Sequence, residues 1–242
     1  MATGRNTTWL VTGASRGLGL ELVRQLSASN SNLVIATCRN PASAVQLRTL
    51  QDDAHSRSQG NLHIVQLDVI DQQSVRASVA EVDRIVGEKG LDVLYNNAGI
   101  PTREEAFAFD PENLMSVFKT NVAAPALVAQ VYLPLLERGT RKTIVNVSSA
   151  LGSIGANRRG GHFAMYSLTK TALNMLTFKQ AKTRPDFIVV SLCPGHTKTD
   201  IGGAAAVLEV DESVSGQLRV VAGLTPAHSG RFWEYTGKEL PW

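Results

Sequence analysis

The chain has 242 residues, of which 43% are hydrophobic and 19% are charged, a composition typical of a globular protein that excludes general disorder. The 24 Lys and Arg residues exceed the 21 Asp and Glu residues so slightly that nucleic acid and membrane surfaces are not indicated as partners. The two cysteines, Cys38 and Cys193, exclude a disulfide scaffold and a zinc site made of cysteines alone.

Short β-branched runs alternate with longer helical patterns along the whole chain. In chain order, the predicted strands are 8–12, 33–38, 62–67, 91–95, 143–147, 187–192 and 231–235. The predicted helices are 17–28, 41–51, 72–87, 111–137, 166–182 and 211–222. Most strands are nearly continuous apolar runs, as in parallel strands that are buried on both faces. The alternation predicts a doubly wound α/β sheet with helices on both faces, built as a single domain over 1–242.

Two irregular segments and the amino terminus complete this outline. The polar segment 52–60 is predicted to be a loop, and the Gly-rich segment 152–165 is predicted to be irregular. The first residues are polar, and no run approaches the roughly 18–20 apolar residues that cross a membrane. We therefore expect a cytoplasmic protein without a signal peptide.

A glycine-rich turn follows the first predicted strand and leads into the first predicted helix. It contains Gly13, Ser15, Arg16, Gly17, Leu18 and Gly19. Glycines at such a turn let backbone N–H groups approach a pyrophosphate at the helix N-terminus. The spacing G-x-x-x-G-x-G differs from the G-x-G-x-x-G pattern, so a merely tight strand-to-helix connection remains the alternative.

Two arginines bear on the choice between nicotinamide cofactors. An acid at the end of the second strand binds the ribose 2′-OH of NAD, whereas an arginine accommodates the 2′-phosphate of NADP. Arg39 ends the second strand here, no Asp or Glu occurs over 33–51, and Arg16 lies in the glycine turn. The pattern favours NADP(H), with two solvated loop arginines as the alternative.

Tyr166 and Lys170 open the fifth predicted helix. Residues i and i+4 share a helix face, so the phenol and the ammonium are expected to meet at one site. A nearby cation favours the phenolate, and we expect Lys170 to lower the pKa of Tyr166 from its ordinary value near 10. Two unrelated surface residues on one helix are the alternative.

Seven motifs occur in the order and with the spacing of one known family. They are Thr12-Gly13…Gly17-Leu18-Gly19, Asp68-Val69, Asn96-Asn97-Ala98-Gly99, Asn121, Asn146-Val147-Ser148-Ser149, Tyr166…Lys170 and Pro194-Gly195…Thr197…Thr199-Asp200. With these motifs the chain resembles the short-chain dehydrogenases/reductases, which implies a Rossmann-type fold. At Cys38-Arg39-Asn40, at 199–203 and in the aromatic tail to Trp242, it is most similar to sniffer and C-factor-like carbonyl reductases and to fungal polyketide ketoreductases of the norsolorinic acid reductase type.

The resemblance implies catalytic roles for four residues. Tyr166 would protonate the carbonyl oxygen as hydride arrives, and Lys170 would lower the Tyr166 pKa and hold the nicotinamide ribose. Ser149 would orient the substrate carbonyl, with Ser148 as the alternative serine. Asn121 would hold a water beside Lys170. These roles agree with the chemistry of hydride transfer, which leaves charge on an oxygen and needs a proton source.

The resemblance also implies cofactor contacts beyond the glycine turn. Asp68 and Val69 would bind adenine, and Asn97, Ala98 and Gly99 would pass the adenosine ribose, while Tyr166 and Lys170 would also contact the cofactor. Pro194 and Gly195 would end the sixth strand beside the nicotinamide, and Thr197 and Thr199 would meet its carboxamide. All of these residues follow strand ends, where open α/β sheets bind their ligands.

The substrate and the partners are less strongly specified. The family's substrate loops correspond to 152–165 and 200–215, and the second is apolar enough to form a lid over an aromatic, polyketide or aliphatic ketone. The extra residues 156–161 are expected to bulge beside the active site, with an inert insertion as the alternative. The apolar helices 111–137 and 166–182 are expected to form a homodimer or homotetramer interface. No histidine pair has metal-ligand spacing, so no metal is expected.

The favoured function is an NADPH-dependent carbonyl reductase with Tyr166 as proton donor. One alternative is a regulatory or signalling protein that binds NADP with little turnover. The other is an NAD-dependent alcohol dehydrogenase, against which Arg39 and the missing acid argue. The sequence does not choose the substrate, its stereochemistry or the direction of the reaction.

Overall fold

The computed structural model describes residues 7–56, 60–156 and 160–242. Contacts within the chain divide it into two compact units. The first unit contains the described residues up to Asn97 together with Leu127–Thr143, and the second contains Ala98–Ala126 together with Ile144–Trp242. The single domain with two substrate loops stays a prediction.

The first unit is built on four parallel strands in the order β3-β2-β1-β4. Val11, at the end of β1, pairs with Ala36 on one side and with Tyr95 on the other. The strands are β1 Thr7–Val11, β2 Asn32–Cys38, β3 Leu62–Gln66 and β4 Val93–Asn96. The helices are α1 Gly17–Ser27, α2 Val45–Ser56 and α3 Gln72–Val86. The interiors of β1, β2 and β4 are buried and mostly apolar, as the continuous apolar runs predicted, whereas His63 and Ile64 of β3 are half-buried.

The second unit carries the remaining strands and the helices that follow them. Its helices are α4 Pro111–Phe118, a π-helical turn Lys119–Ala123, α5 Ala124–Arg138, α6 Ala164–Thr183 and α7 Val210–Ala222. Its strands are β5 Thr143–Val147, β6 Ile188–Cys193 and β7 Phe232–Glu234. Parts of α5 and β5 belong to the first unit. The complete strand order is β3-β2-β1-β4-β5-β6-β7. The predicted doubly wound sheet is confirmed, and each predicted strand ends within one or two residues of an observed one.

Two predicted loop boundaries are wrong. Residues 52–56 continue α2 instead of forming a loop, because Ala54 is fully buried and extends the buried face that Leu47 begins. Polar composition therefore did not mark the end of this helix. The remainder of the predicted 52–60 loop includes 57–59, which lie outside the described residues. The predicted 200–215 loop is also shorter than expected, since α7 begins at Val210.

A membrane-length helix also departs from expectation. Within the described residues, α4, the π-helical turn and α5 form a continuous helical stretch of 28 residues, Pro111–Arg138. An 18-residue window of it has a mean hydropathy of 1.2, which by length and composition would allow it to cross a membrane. The prediction that no segment qualifies is therefore wrong. One such helix is weak evidence of a membrane span, because the core helix of a folded domain passes the same test. Here Asn121 and Tyr132 are fully buried on it and hydrogen-bonded.

A buried carboxylate ties the start of β4 to its neighbours. Asp92 is 1% exposed, and one of its oxygens accepts from the Thr8 N–H at 3.0 Å and from the Thr8 hydroxyl at 3.2 Å. The other accepts from the Thr140 N–H at 2.7 Å, its hydroxyl at 2.9 Å and the Arg141 N–H at 3.2 Å. Burial opposes ionisation, but these hydrogen bonds outweigh it and hold the pKa of Asp92 below its usual value.

We expect Asp92→Asn to lower the free energy of unfolding at pH 7 by about 3 kcal/mol. The amide group of Asn would point its own N–H donors at donors of Thr8 or of Thr140 and Arg141, which would lose their acceptor. Because the pKa of Asp92 is lower in the folded protein, its carboxylate contributes fully to the free energy of unfolding above its unfolded-state pKa of about 3.9. This contribution is lost as the pH falls through the folded-state pKa. Urea denaturation at pH 7 and pH 3 should therefore show the gap between wild type and variant shrinking in acid. As a control, Asp83→Asn removes a half-exposed ion pair with Arg138 and should cost less than about 1 kcal/mol. Equal losses in the two variants would contradict the role of Asp92.

Candidate cofactor site and candidate active site

The glycine turn after β1 requires its glycines at particular positions. Gly13 and Gly17 have φ values of 67° and 55°, in the left-handed region that favours glycine. A Cβ added to Gly19 would lie 2.3 Å from the Gly13 carbonyl oxygen and 2.6 Å from Asn97 Nδ2. The turn is therefore packed too tightly for a side chain at position 19, as a close helix-to-strand approach demands.

Asn97 holds this turn in place. Its Nδ2 donates to the carbonyl oxygens of Thr12 at 2.9 Å and Gly13 at 3.2 Å, and its N–H donates to the Thr12 hydroxyl at 3.0 Å. Sequence reasoning placed Asn97 against the adenosine ribose, together with Ala98 and Gly99. The structure gives the side chain of Asn97 a positioning role in the turn, and Ala98 and Gly99 follow it half-buried.

The N-terminus of α1 suits an anion. The helix begins at Gly17, the side chain of Arg16 does not cap it, and its first turn contains no acidic residue. Its first backbone N–H groups and the positive end of the helix dipole therefore favour a phosphate group. Ser15 and Leu18 flank this position and are half-buried.

A cavity of about 590 Å³ lies next to the turn. It is lined by Ser15, Arg16, Cys38, Arg39, Asn40, Ser43, Ala44, Val45 and Gln46. Both arginines are exposed side chains, and no Asp or Glu lines the cavity. The Arg39 carbonyl accepts from Gln66 Nε2 at 3.1 Å, which fixes the backbone there, and burial raises the pKa of the Cys38 thiol. The cavity can hold a group with two negative charges.

Asp68 and Val69 follow β3 and are half-buried. One carboxyl oxygen of Asp68 accepts from the Ile70 N–H at 3.2 Å, and the Asp68 N–H donates to the Ser74 hydroxyl at 2.9 Å. These local bonds fix the direction of the chain after the strand. Their contact with adenine stays a prediction.

The structure separates the two adjacent serines that follow β5. Ser148 is 2% exposed, and its hydroxyl donates to Asn174 Oδ1 at 2.6 Å. Ser149 is half-buried, and its hydroxyl accepts from the Leu151 N–H at 3.2 Å at the start of the 3₁₀ turn Ala150–Gly152. The Ser149 hydroxyl therefore keeps its own hydrogen for another acceptor, whereas Ser148 is part of the core.

Tyr166 and Lys170 lie on one face of α6, as predicted. Lys170 is 4% exposed, its Nζ lies 5.5 Å from the centroid of the Tyr166 ring, and it donates to the Val147 carbonyl at 2.8 Å. A Cβ added to Gly152 would lie 2.7 Å from Lys170 Cβ. Lys170 therefore touches the chain on both sides of Ser149.

The expected direction of the Tyr166 pKa is wrong for the protein alone. Burial raises the pKa of Tyr166, and Cys193 adds to the increase. Burial lowers the pKa of Lys170 to about 8, opposed in part by Cys193. Desolvation outweighs the attraction that the i, i+4 spacing suggested. Tyr166 consequently stays protonated at neutral pH, as a proton donor must.

Asn121 lies fully buried in the π-helical turn Lys119–Ala123. Its Nδ2 donates to the Ile100 carbonyl at 3.0 Å and to the Thr169 hydroxyl at 3.1 Å, and its Oδ1 accepts from the Ile100 N–H at 2.9 Å. Both amide hydrogens are thus used to join the 100 region to α6. π-Helical turns are frequent at functional sites. The water-holding role of Asn121 stays a prediction.

The segment after β6 turns back on itself. Gly195 has a φ of 80°, and a Cβ there would lie 2.8 Å from the ring of Tyr235. The Thr197 hydroxyl donates to the Pro194 carbonyl at 3.1 Å, and Thr199 Oγ1 lies 3.4 Å from the Thr197 carbonyl. Both threonine hydroxyls therefore stabilise this loop, and their contact with a carboxamide stays a prediction.

Sequence reasoning missed Asn174 and Thr169, which orient the site from α6. Asn174 accepts from Ser148 and donates to the Gly152 carbonyl at 3.1 Å, while Thr169 accepts from Asn121. The four-residue spacing from Lys170 to Asn174 is a signal that could have found the first.

Within 7–56, 60–156 and 160–242 there is no group of three His, Cys, Asp or Glu residues suited to a metal. Of the predicted bulge 156–161, residues 157–159 lie outside the described residues.

Known proteins are similar to this chain in sequence and fold. A family model described as short chain dehydrogenase matches residues 7–206. The crystal structure of NADPH-bound carbonyl reductase from chicken fatty liver has 37% identity and a TM-score of 0.90, covering 98% of this chain and 100% of that chain. The carbonyl reductase Sniffer of D. melanogaster has 33% identity and a TM-score of 0.90 with the same coverage.

A bacterial protein adds a second kind of relative. C-signal of Myxococcus xanthus is 41% identical over 155 residues, which are 63% of this chain and 93% of that protein. Together with Sniffer, it confirms the predicted similarity to the sniffer and C-factor-like branch.

Proposed function

Because this chain belongs to the short-chain dehydrogenase family, we propose that it is an NADPH-dependent carbonyl reductase that acts on ketones and aldehydes. The observation that carries the proposal is the arrangement around Lys170. Its ammonium lies 5.5 Å from the Tyr166 ring, and its side chain contacts the backbone on both sides of Ser149. A protonated phenol, a serine hydroxyl with a free hydrogen and a buried cation form a set of donors for an oxygen that gains negative charge.

The first unit fits a dinucleotide that carries a 2′-phosphate. The N–H groups at Gly13, Gly17 and Gly19 would hold the pyrophosphate, and Arg16 and Arg39 would hold the 2′-phosphate. The remaining proposed contacts are Ser15, Leu18, Asp68, Val69, Asn97, Ala98, Gly99, Tyr166, Lys170, Pro194, Gly195, Thr197 and Thr199. A bound nicotinamide supplies a hydride to the carbonyl carbon. The NADPH-bound chicken enzyme supports this choice of cofactor.

The chain's own residues would complete the reduction by handling the oxygen. The Ser149 hydroxyl donates to the carbonyl oxygen and orients it, and the Tyr166 hydroxyl gives that oxygen its proton. The Lys170 ammonium stabilises the phenolate that Tyr166 becomes. Asn121 holds the 100 region and α6 together behind these groups. The raised pKa of Tyr166 keeps its hydroxyl protonated at neutral pH, which is the form in which it can act as a donor.

The substrate and the assembly follow from the same proposal. Ile154, Ile201 and Val207 are exposed apolar side chains in the two proposed substrate loops, which supports a ketone with an aromatic, polyketide or aliphatic body. The exposed Met115, Phe118, Leu168 and Met175 on α4 and α6 support a homodimer or homotetramer in the cytoplasm.

Fluorescence titration of the purified protein with NADPH and with NADH tests the proposed function. We expect tight NADPH binding, weak NADH binding, and loss of NADPH absorbance when aromatic and aliphatic ketones and aldehydes are added. Equal binding of the two cofactors would favour the NAD-dependent alcohol dehydrogenase. Binding of neither would overturn the proposal.

A signalling protein with little turnover is the second candidate, supported by the relative named C-signal. The intact set of Ser149, Tyr166, Lys170 and Asn121 argues against it, since a cofactor sensor has no need of a placed proton donor. Tight NADPH binding without turnover on any carbonyl of the panel would favour this candidate.

The pKa of Lys170 predicts a pH profile. We expect kcat/KM for NADPH, which reports the protein before the cofactor binds, to fall as pH rises through about 8 because Lys170 loses its charge. Tyr166 keeps its proton over this range. In Lys170→Arg, which stays charged, this alkaline decline should disappear even if the plateau is lower. The same decline in both proteins would assign the titration to another group.

A further inference from the structure

We propose that the C-terminal segment Leu240–Trp242, which we call the tail, positions the loop Ala150–Gly155 and through it the hydroxyl of Ser149. We call Ala150–Gly155 the serine loop. The role of Ser149 rests on the proposed function, whereas the contacts between tail and loop do not. The tail would act as a positioning element for catalysis, although it contributes no reacting group.

The tail is hydrogen-bonded to the distal half of the serine loop. The hydroxyl of Ser153, which is 3% exposed, donates to the Pro241 carbonyl at 2.5 Å and accepts from the Ala156 N–H at 3.0 Å. The Gly155 N–H donates to the main-chain oxygen of Trp242 at 2.8 Å. A Cβ added to Gly155 would lie 2.9 Å from Pro241 Cβ, so the two segments are in close contact.

The tail also packs against the proximal half of the loop. Leu240 is buried in one cluster with Ala150, Cys193 and Phe232. Its N–H donates to the Phe232 carbonyl at 2.8 Å, and the Trp242 ring stacks on the Phe232 ring at 5.7 Å between centroids and 15° between planes. Strand β7 therefore serves as the base on which the tail is fixed.

The 3₁₀ turn Ala150–Gly152 connects the contacts of the tail to Ser149, which directly precedes it. The Ala150 N–H donates to Cys193 Sγ at 3.2 Å, and the Gly152 N–H donates to the Ser149 carbonyl at 2.8 Å. On its other side, the Gly152 carbonyl accepts from Thr171 and Asn174 of α6. The serine loop is thus held between α6 and the tail. Loss of the tail would remove one of the two sides that hold the turn orienting the Ser149 hydroxyl and would leave α6 and Cys193 on the other.

Four point variants test this role in the 242-residue chain. Trp242→Ala removes the ring stack, Ser153→Ala removes the bond to Pro241, and Trp242→Phe keeps an aromatic ring on Phe232. Lys238→Ala is the matched control, because it changes an exposed side chain two residues before the tail. Circular dichroism would confirm that each variant is folded, and two independent disruptions guard against one of them failing to fold.

We expect Trp242→Ala and Ser153→Ala to lower kcat for carbonyl reduction about 10-fold, since small misplacements of positioned groups have effects of this size or larger. The Kd for NADPH should stay unchanged, and Trp242→Phe and Lys238→Ala should retain wild-type kcat. In a Ser149→Ala background, Trp242→Ala should cause no further loss, because the tail acts through the hydroxyl that is already absent. Unchanged kcat, or a loss that multiplies with that of Ser149→Ala, would overturn the proposal.

Hydrogen exchange separates this inference from the proposed function. We expect the backbone amides of 151–156 to exchange faster in Trp242→Ala than in wild type, measured without substrate or cofactor. Unchanged exchange would overturn the tail's hold on the loop whatever the activity. Faster exchange in a protein that reduces no carbonyl would overturn the proposed function and the role assigned to Ser149, while leaving the contact itself established.

Discussion

Replacement of Tyr166 by Phe is expected to lower the rate of carbonyl reduction about 10³-fold, the effect of removing a positioned general acid. The ring that Lys170 approaches at 5.5 Å remains, so the packing of α6 and the binding of NADPH should be preserved. Only the hydroxyl and its proton are lost. Single-turnover reduction with NADPH bound in advance would measure the chemical step separately from cofactor binding.

Tyr132→Phe is a matched control for this experiment. It deletes a second buried tyrosine hydroxyl, which lies 2.6 Å from the Ser78 hydroxyl. We expect this change to lower the free energy of unfolding by about 1 kcal/mol and to leave turnover intact. If Tyr166→Phe kept a rate comparable to that of Tyr132→Phe, Tyr166 could not be the proton donor.

Arg39→Asp is expected to weaken NADPH binding about 100-fold and to bring NADH affinity close to it. A guanidinium in the cavity gives charge-assisted hydrogen bonds to a 2′-phosphate, whereas a carboxylate repels it. The same carboxylate can accept a hydrogen bond from the ribose 2′-OH of NADH. Titration of both cofactors against wild type and variant would measure the change in preference.

The control for Arg39→Asp is Arg48→Asp, which makes the same change of charge on the exposed face of α2 outside the cavity lining. Arg48 does not line the cavity and cannot bond the phosphate directly, and salt screens an exposed charge, so we expect less than about a twofold effect on NADPH binding. Similar losses in both variants would indicate a general effect of net charge. An unchanged preference in Arg39→Asp would mean that another residue selects the cofactor.

The sequence predicted the sheet well because buried parallel strands leave an unmistakable pattern. Each of the seven short runs predicted to be strands became a strand, and the alternation with helices left one fold class. Helix ends were harder to predict. Residues 52–56 look like a loop by composition, but burial of Ala54 keeps them helical, and burial is a property of the folded chain. The π-helical turn at Lys119–Ala123 interrupts a sequence that reads as one regular helix.

The site could be predicted in outline but not in its electrostatics. Spacing placed Tyr166 and Lys170 together, whereas the direction of their pKa shifts depends on desolvation, which the sequence does not show. The choice between Ser148 and Ser149 depended on which hydroxyl faces the core. The tail contacts residues of the serine loop that are distant in sequence, and local sequence patterns do not predict such long-range contacts.

The position of Asp92 has a consequence for the evolution and engineering of this protein. The hydrogen bonds of its carboxylate lie at the amino-terminal start of β4, whereas the glycine turn and Ser149 follow the carboxyl-terminal ends of strands. Stabilising substitutions usually carry a cost where a site needs flexibility or strain. Because this network is built from residues that have no part in binding or proton transfer, the stability that it contributes does not carry that cost. This stability offsets destabilising changes elsewhere, so the substrate loops can vary without unfolding the protein.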